Sequence, residues 1–240
     1  MANVIFCLQM CPMDCDAAVD LVKLIADVEK AHPSKCKPQW VLSHRKDTPL
    51  SRVYQCQGLL LKVFDQVMVF KAARYANGWP GGSNALWRST MEDIARLEIS
   101  EPGILTFEPD CVPLSADWLD RLDGAYANRA RPILGHIHQE ETIDQHVNGN
   151  AIWPVDLAIR WPQVLEAPPT MAWDYWGRNF YIREAEDTAL ITQWYRRRKL
   201  NEEEWETIEK HGLRPVLLHG VKDSSGRILA RKELMQVQCK

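Results

Sequence analysis

Two short stretches of the chain combine residue types that can hold a metal ion and a phosphate. The first is Glu108-Pro109-Asp110, which closes the apolar run Ile104-Leu105-Thr106-Phe107. Ligands of open α/β sheets bind outside the carboxyl ends of the strands. Two carboxylates one residue apart at such a strand mouth make a hard-oxygen site for Mg²⁺ or Mn²⁺, with the cation shared with a substrate diphosphate. Taken alone, the same pair also reads as two solvated acids at a strand end. The second stretch is Leu217-Leu218-His219-Gly220-Val221-Lys222-Asp223. Here an apolar strand delivers an imidazole that can complete a metal shell. It also delivers a glycine that lets backbone approach a ligand, and a lysine that neutralises phosphate as a point charge. Its plainer reading is an exposed turn.

Three other groupings carry less. Cys7, Cys11 and Cys15 are evenly spaced but lack the pattern of an iron–sulfur site, and Cys7 falls in an apolar strand. His136 and His138 share one strand face with His146 nearby, a possible transition-metal pair without the acidic partner at a cupin spacing. The run Arg196-Arg197-Arg198-Lys199 is followed by Glu202-Glu203-Glu204 and reads as a solvated helix end, or else as a contact to an anionic acceptor.

The elements that must position these residues follow from periodicity. Val4 to Met10 is a short apolar strand. Ala18, Leu21, Val22, Ile25 and Val28 then recur at helical spacing behind a capping Asp14 or Asp16, to about Ala31. Trp40 to Ser43 is a second strand, and Pro49-Leu50-Ser51 opens a second helix. Gln66 to Lys71 is a third strand. Gly78-Trp79-Pro80-Gly81-Gly82-Ser83-Asn84 is the strongest loop signal, leading into a helix with Trp87, Met91 and Ile94. Gly103 to Phe107 is a fourth strand. This alternation predicts a mostly parallel sheet covered on both faces.

The second half is less regular. A helix is expected over Ala116 to Asn128, a strand over Pro132 to His138, and a loop over His146 to Trp153. Further helices are expected from Pro154 to Leu165, from Glu184 to Arg198 and from Asn201 to Lys210, and a last extended segment from Arg214 to His219. With no repeat or low-complexity linker, the 240 residues read as a single domain. Residues 1–112 read as a nucleotide-binding-like half and residues 113–240 as an acceptor-shaping half carrying the C-terminal metal and phosphate segment.

Composition excludes some classes. The chain is 46% hydrophobic and 25% charged, as in folded soluble domains, and its apolar runs are far shorter than the about 20 residues of a membrane-spanning helix. A formal net charge of -3 argues against a general nucleic-acid-binding surface. Seven cysteines cannot all pair, and Met-Ala-Asn-Val-Ile-Phe has no basic segment ahead of an apolar stretch. The expectation is a reducing cytoplasm. Ten tryptophans are many, and indole faces stack on sugars and bases as well as in cores.

Taken together, these stretches resemble a known family. The chain is similar to glycosyltransferases of the GT-A fold, in particular to small bacterial and phage-encoded members, which use nucleotide-sugar donors. The Rossmann-like start leads to an apolar strand closed by an Asp-x-Asp-type motif, here Glu108-Pro109-Asp110. The loop Pro80 to Asn84 stands one helix earlier, Asn148-Gly149-Asn150 lies mid-chain like a donor-facing loop, and His219 to Lys222 resembles a late metal-site histidine segment. The departures are Glu in place of the first Asp, and no Lys-Pro-Trp ending of the glycogenin-like type.

The resemblance implies a metal-dependent enzyme that moves a sugar from a UDP- or GDP-sugar to a hydroxyl of a glycan, a lipid-linked sugar or another acceptor. Asp110 and His219 would ligate Mn²⁺ or Mg²⁺, and Glu108 would do so through water or else contact the donor ribose. Lys222 would support the leaving phosphate. Gly81, Gly82, Asn84, Asn148, Gly149, Asn150 and Gly220 would lie against the donor, so a branched side chain at Gly82 is expected to weaken donor binding. Asp174, in Met171-Ala172-Trp173-Asp174-Tyr175-Trp176, would be the general base of an inverting enzyme, with Trp173, Tyr175 and Trp176 stacking on the acceptor. Its alternative is a capping Asp between core aromatics. The competing functions are a nucleotidyltransferase, whose Gly-rich basic signature after the first strand is missing from Gln9 to Met13, and a non-catalytic nucleotide- or carbohydrate-binding module of the same fold.

Overall fold

The computed structural model describes residues 2–97, 99, 102–140, 143–194, 199–210 and 215–236. The first half follows the predicted alternation: β1 (Val4–Met10), α1 (Cys15–Ala31), β2 (Trp40–His44), α2 (Leu50–Leu60), β3 (Val67–Lys71), α3 (Gly81–Ile94) and β4 (Gly103–Phe107). Every residue of β1, β2 and β4 is buried, as expected of strands covered on both faces. Asp14 stands at the start of α1, but its carboxylate accepts the Cys11 backbone N–H at 2.7 Å and makes no cap hydrogen bond. The glycine-rich loop is shorter than its composition suggests, because α3 already begins at Gly81.

The second half comprises β5 (Val112–Pro113), α4 (Trp118–Ala127), β6 (Ile133–Gly135), β7 (Ile137–Glu140), β8 (Ile143–Val147), β9 (Ala151–Pro154), α5 (Leu157–Arg160), α6 (Trp173–Tyr181), β10 (Ala185–Asp187), β11 (Ile191–Gln193), α7 (Glu202–Lys210), β12 (Leu217–His219) and α8 (Ser225–Gln236). Several expectations are corrected here. The strand expected over Pro132 to His138 is two strands, since β6 joins the main sheet while β7 pairs with β8. Only residues 148–150 of the expected loop lie outside strands. The helix expected over Pro154 to Leu165 is one turn, α5, followed by a 3-10 turn at Pro162–Glu166, because a proline has no N–H to continue an α-helix. In place of a helix from Glu184, β10 and β11 pair with strands distant in sequence, β6 and β12. Residues 195–198, with most of the basic run, lie outside the described residues, as does the start of the segment expected from Arg214.

The main sheet has the order β10-β6-β9-β4-β1-β2-β3. It is parallel except for β9, which runs antiparallel to β4 and β6. That reversal places the site. Thr106 of β4 is registered with Ala151 of β9, so the turn at 148–150 meets the carboxyl end of β4, where Glu108 emerges. A second sheet, β11-β12-β5, sets Leu218 opposite Val112 and Gln193 beside His219. Among the described residues no helix is long and apolar enough to cross a membrane.

One core cluster packs α1, α2 and α4 on one face of the sheet, around Phe6, Trp40, Phe107 and Trp118. It also takes in Ile191, Val216 and Leu217 from the C-terminal half. Gly103 opens β4 directly under Tyr126, whose buried hydroxyl donates to the carbonyls of Pro102 (3.2 Å) and Pro132 (3.0 Å). A Cβ at position 103 would clash with the Tyr126 ring. Gly103→Ala is therefore expected to lower stability by about 1–3 kcal/mol, the usual effect of overpacking, read as a lower thermal midpoint.

Candidate active site

Glu108 and Asp110 follow β4, and His219 ends β12. The β12–β5 pairing brings the imidazole to the two acids, since β5 begins two residues after Asp110. His219 Nε2 lies 3.4 Å from Glu108 Oε2 and 3.4 Å from Asp110 Oδ1. One ligand atom from each of the three residues lies within 4.8 Å of the others. Asp110 Oδ1 and His219 Nε2 are both buried and neither makes a hydrogen bond. Leaving a buried polar atom unpaired costs about 1–3 kcal/mol. Two carboxylates and an imidazole converging with unused ligand atoms fit a divalent cation with oxygen and nitrogen ligands.

The surrounding electrostatics are those of concentrated negative charge. Lys222 Nζ donates to Asp110 Oδ2. Burial works against the charged form of Glu108, but His219 and Lys222 outweigh it and hold the carboxyl below the usual glutamate value. Burial also works against charged Lys222, and Asp110 and Glu108 overcome this and raise its pKa. Asp14 is pushed up to about 6, first by burial and further by Glu108 and Asp110.

A chain of amides runs behind the three residues. The Glu108 backbone N–H donates to Asn150 Oδ1 at 2.9 Å. The backbone N–H and side-chain amide of Asn150 both donate to Asn148 Oδ1, at 2.9 and 3.1 Å. Asn148 Nδ2 donates to Gln193 Oε1 at 2.9 Å and faces His138 Nε2 at 3.1 Å. Gln193 Oε1 in turn contacts His219 Nδ1. Gln193 is a site residue that the sequence did not reveal, because it sits in a segment with a helical appearance.

A cleft of about 460 Å³ opens from this group, bordered by Glu108, His219, Asn148, Asn150, Asp174 and Trp79 among others. Asp174 lies in the first turn of α6. Its Oδ2 accepts the Gly149 N–H at 3.1 Å and its Oδ1 the Tyr175 N–H at 2.9 Å. Burial pushes its carboxyl above the usual aspartate value, with His146 and these N–H groups pulling the other way.

The flanking aromatics do not all face the cleft. Trp173 borders the cleft but is largely buried, stacked on Trp87 with centroids 3.5 Å apart. The Trp176 indole N–H donates to the Gln163 carbonyl at 3.1 Å, and its ring does not border the cleft. Tyr175 does border it, stacked under Arg178 at 3.9 Å, and Arg178 pairs with Asp144 at 2.8 Å. The exposed indole of the cleft is Trp79, 81% accessible. It lies inside the loop signal, but its exposure is invisible in sequence.

Of the glycines expected against the donor, Gly149 borders the cleft, and a Cβ at Gly81, Gly82, Gly149 or Gly220 would meet protein atoms. Gly81 packs on Pro169, and a Cβ at Gly82 would lie 3.2 Å from the Ala76 carbonyl and 3.3 Å from the Arg45 guanidinium. Neither borders the main cleft. Gly149 packs against Trp173, and Gly220, with φ of 98°, against Gln193 and Trp194. Asn84 borders the cleft, but its amide donates to the carbonyls of Pro168 (3.0 Å) and Met171 (2.8 Å) and accepts the Trp173 N–H (3.0 Å), joining α3 to α6. His138 and His146 stack at 4.7 Å, and among the described residues neither the histidines nor Cys7, Cys11 and Cys15 form a second group of three metal ligands.

No protein-family profile and no curated protein matches this sequence. Solved structures do match. The bifunctional glycosyltransferase WbbM in its apo form superposes with a TM-score of 0.59 at 9% identity over 99% of this chain, which spans only 51% of that chain. The galactosyltransferase LgtC in complex with donor and acceptor sugar analogues gives 0.60 at 7% identity, covering 97% of this chain and 94% of that one. The apo form of mouse xyloside xylosyltransferase 1 gives 0.56 at 8%, covering 92% and 98%. The likeness is one of architecture: the chain has the GT-A fold.

Two predictions follow from the geometry. Asp110→Ala removes an unpartnered ligand atom, so Mn²⁺ binding followed by calorimetry should be lost while the circular dichroism spectrum is kept. Gly82→Val should lower the thermal midpoint, because its neighbours are backbone and guanidinium atoms of the protein itself.

Proposed function

We propose that the protein is a glycosyltransferase that moves a sugar from a nucleoside diphosphate sugar, UDP- or GDP-linked, to an acceptor hydroxyl. The observation that carries this is the convergence of Glu108, Asp110 and His219 at the carboxyl edge of a GT-A sheet, in the same cleft as a half-buried carboxylate, Asp174. Asp110, His219 and Glu108 would hold Mn²⁺ or Mg²⁺. When bound, such a cation supplies Lewis-acid stabilisation of a leaving diphosphate. Lys222, paired with Asp110, adds a second positive charge beside the phosphates. The Asn148–Asn150 turn borders the cleft, reaches Asp174 through the Gly149 N–H, and would lie against the donor. A reducing cytoplasm suits the six described cysteines, all of them free thiols.

Asp174 is assigned as the general base. Its raised pKa suits a group that must take a proton from the acceptor hydroxyl as that oxygen attacks the anomeric carbon. The two N–H groups it accepts hold the carboxylate in place. The acceptor ring would stack on Trp79, the exposed indole, in place of Trp173 and Trp176.

Release of nucleoside diphosphate from UDP- and GDP-sugars, with and without Mn²⁺, tests the reaction. Pyrophosphate released from a nucleoside triphosphate would replace it with nucleotidyl transfer, and binding without turnover would leave a binding module. Asp174→Asn should keep donor affinity and cut the transfer rate about 10²–10⁴-fold. A near-wild-type rate, or a product with retained configuration, removes the base from this position. Trp79→Ala should raise the acceptor KM roughly tenfold, about 1.4 kcal/mol, with kcat and donor affinity unchanged; a change confined to donor affinity would move the indole to the donor side.

A further inference from the structure

We propose that Gln193, held by Asn148, is a positioning residue that keeps His219 protonated at Nδ1 and leaves its Nε2 lone pair facing Glu108 and Asp110 as a cation ligand. This rests on reading those three residues as the cation site. The argument starts from groups whose polarity is not in question, the backbone N–H groups of Glu108 and Asn150. The first points at the Asn150 side chain, so that atom must be the amide oxygen. The second points at Asn148, so that atom too is oxygen, and the Asn148 NH₂ is turned toward Gln193. The Gln193 atom receiving it must then be Oε1. The same oxygen contacts His219 Nδ1, which can only be a donor there.

Each alternative is blocked. The other His219 tautomer sets a nitrogen lone pair against Gln193 Oε1. Turning Gln193 over sets its NH₂ against the Asn148 NH₂, and turning Asn148 over sets NH₂ against the Asn150 N–H. The second Asn148 N–H finds His138 Nε2 at 3.1 Å, which must accept and so belongs to a neutral ring. Burial of His138, with His146 and His136 beside it, pulls its pKa to about 4, in keeping with that role.

The fold holds Gln193 in place. It is the register partner of His219 in the parallel β11–β12 pair. A Cβ at Gly220 would lie 2.8 Å from Gln193 Nε2, so the glycine there keeps room for the amide. Groups that bind the second nitrogen of a metal-ligating histidine typically contribute about 10–100-fold to metal affinity.

The test uses the full chain and Mn²⁺ alone. Gln193→Leu should weaken Mn²⁺ binding by about 10–100-fold in calorimetry. Gln193→Glu keeps an acceptor oxygen for both neighbours and should bind at least as tightly as wild type, which separates loss of the acceptor from loss of folding. In metal-free wild type at alkaline pH, long-range ¹H–¹⁵N spectra should show the His219 proton on Nδ1. Gln193→Leu binding as tightly as wild type, Gln193→Glu as weak as Gln193→Leu, or a proton on Nε2 would each overturn the positioning role. A wild-type protein with the Nδ1 proton and no Mn²⁺ binding would instead overturn the cation reading beneath it.

Discussion

Three short strands hold the candidate active site together. β12 pairs with β5 on one side and with β11 on the other, and residues 110, 219 and 193 come together only through those pairings. Strands of two or three residues have little stability of their own. They persist here because Val112, Leu217, Leu218 and Ile191 are buried, continuous with the clusters under α1 and α8. The Val221 N–H extends the arrangement by donating to the Asp110 carbonyl at 3.1 Å. The ligand geometry is thus carried by backbone pairing and apolar packing, and the charged groups have only to be present.

Charge then shapes the site. Glu108, Asp110 and Asp14 crowd the carboxyl ends of β4 and β1, and the rise of Asp14 to about 6 records that crowding as well as burial. Lys222, paired with Asp110, offsets part of the negative charge. A divalent cation would complete the balance, and its arrival would relieve the two unpartnered buried atoms. The amides of Asn148, Asn150 and Gln193 are neutral, so they can orient ligands without competing for charge.

The tryptophans divide between the two tasks that indole performs. Trp40 and Trp118 pack with Phe6 and Phe107, while Trp87, Trp153 and Trp173 stack beneath the cleft wall. That second group supports the start of α6, and with it Asp174. Trp79 alone among the tryptophans is largely bare. It borders the cleft and buries little of its own surface, which is why the proposed acceptor ring is placed on it.

Local information was enough for the first half of the chain. β1 to β4 and the helices between them follow from apolar runs and helical periodicity, because each element is long enough to bury a face on its own pattern. The acid pair after β4 and the His-Gly-x-Lys stretch were legible for the same reason: they directly follow strongly apolar strands. The rest depended on contacts between segments far apart in sequence. β10 and β11 read as helix because three-residue strands have no periodicity to detect, and their pairing partners, β6 and β12, lie tens of residues away. The glycines at 81, 82, 149 and 220 suggested a ligand-facing backbone, but a glycine signals close approach without saying to what: Gly149 borders the cleft, whereas Gly81 and Gly82 lie outside it. Gln193 had no sequence signal at all. An amide becomes a histidine's partner only when strand register sets it beside that ring, and register is a property of the folded sheet.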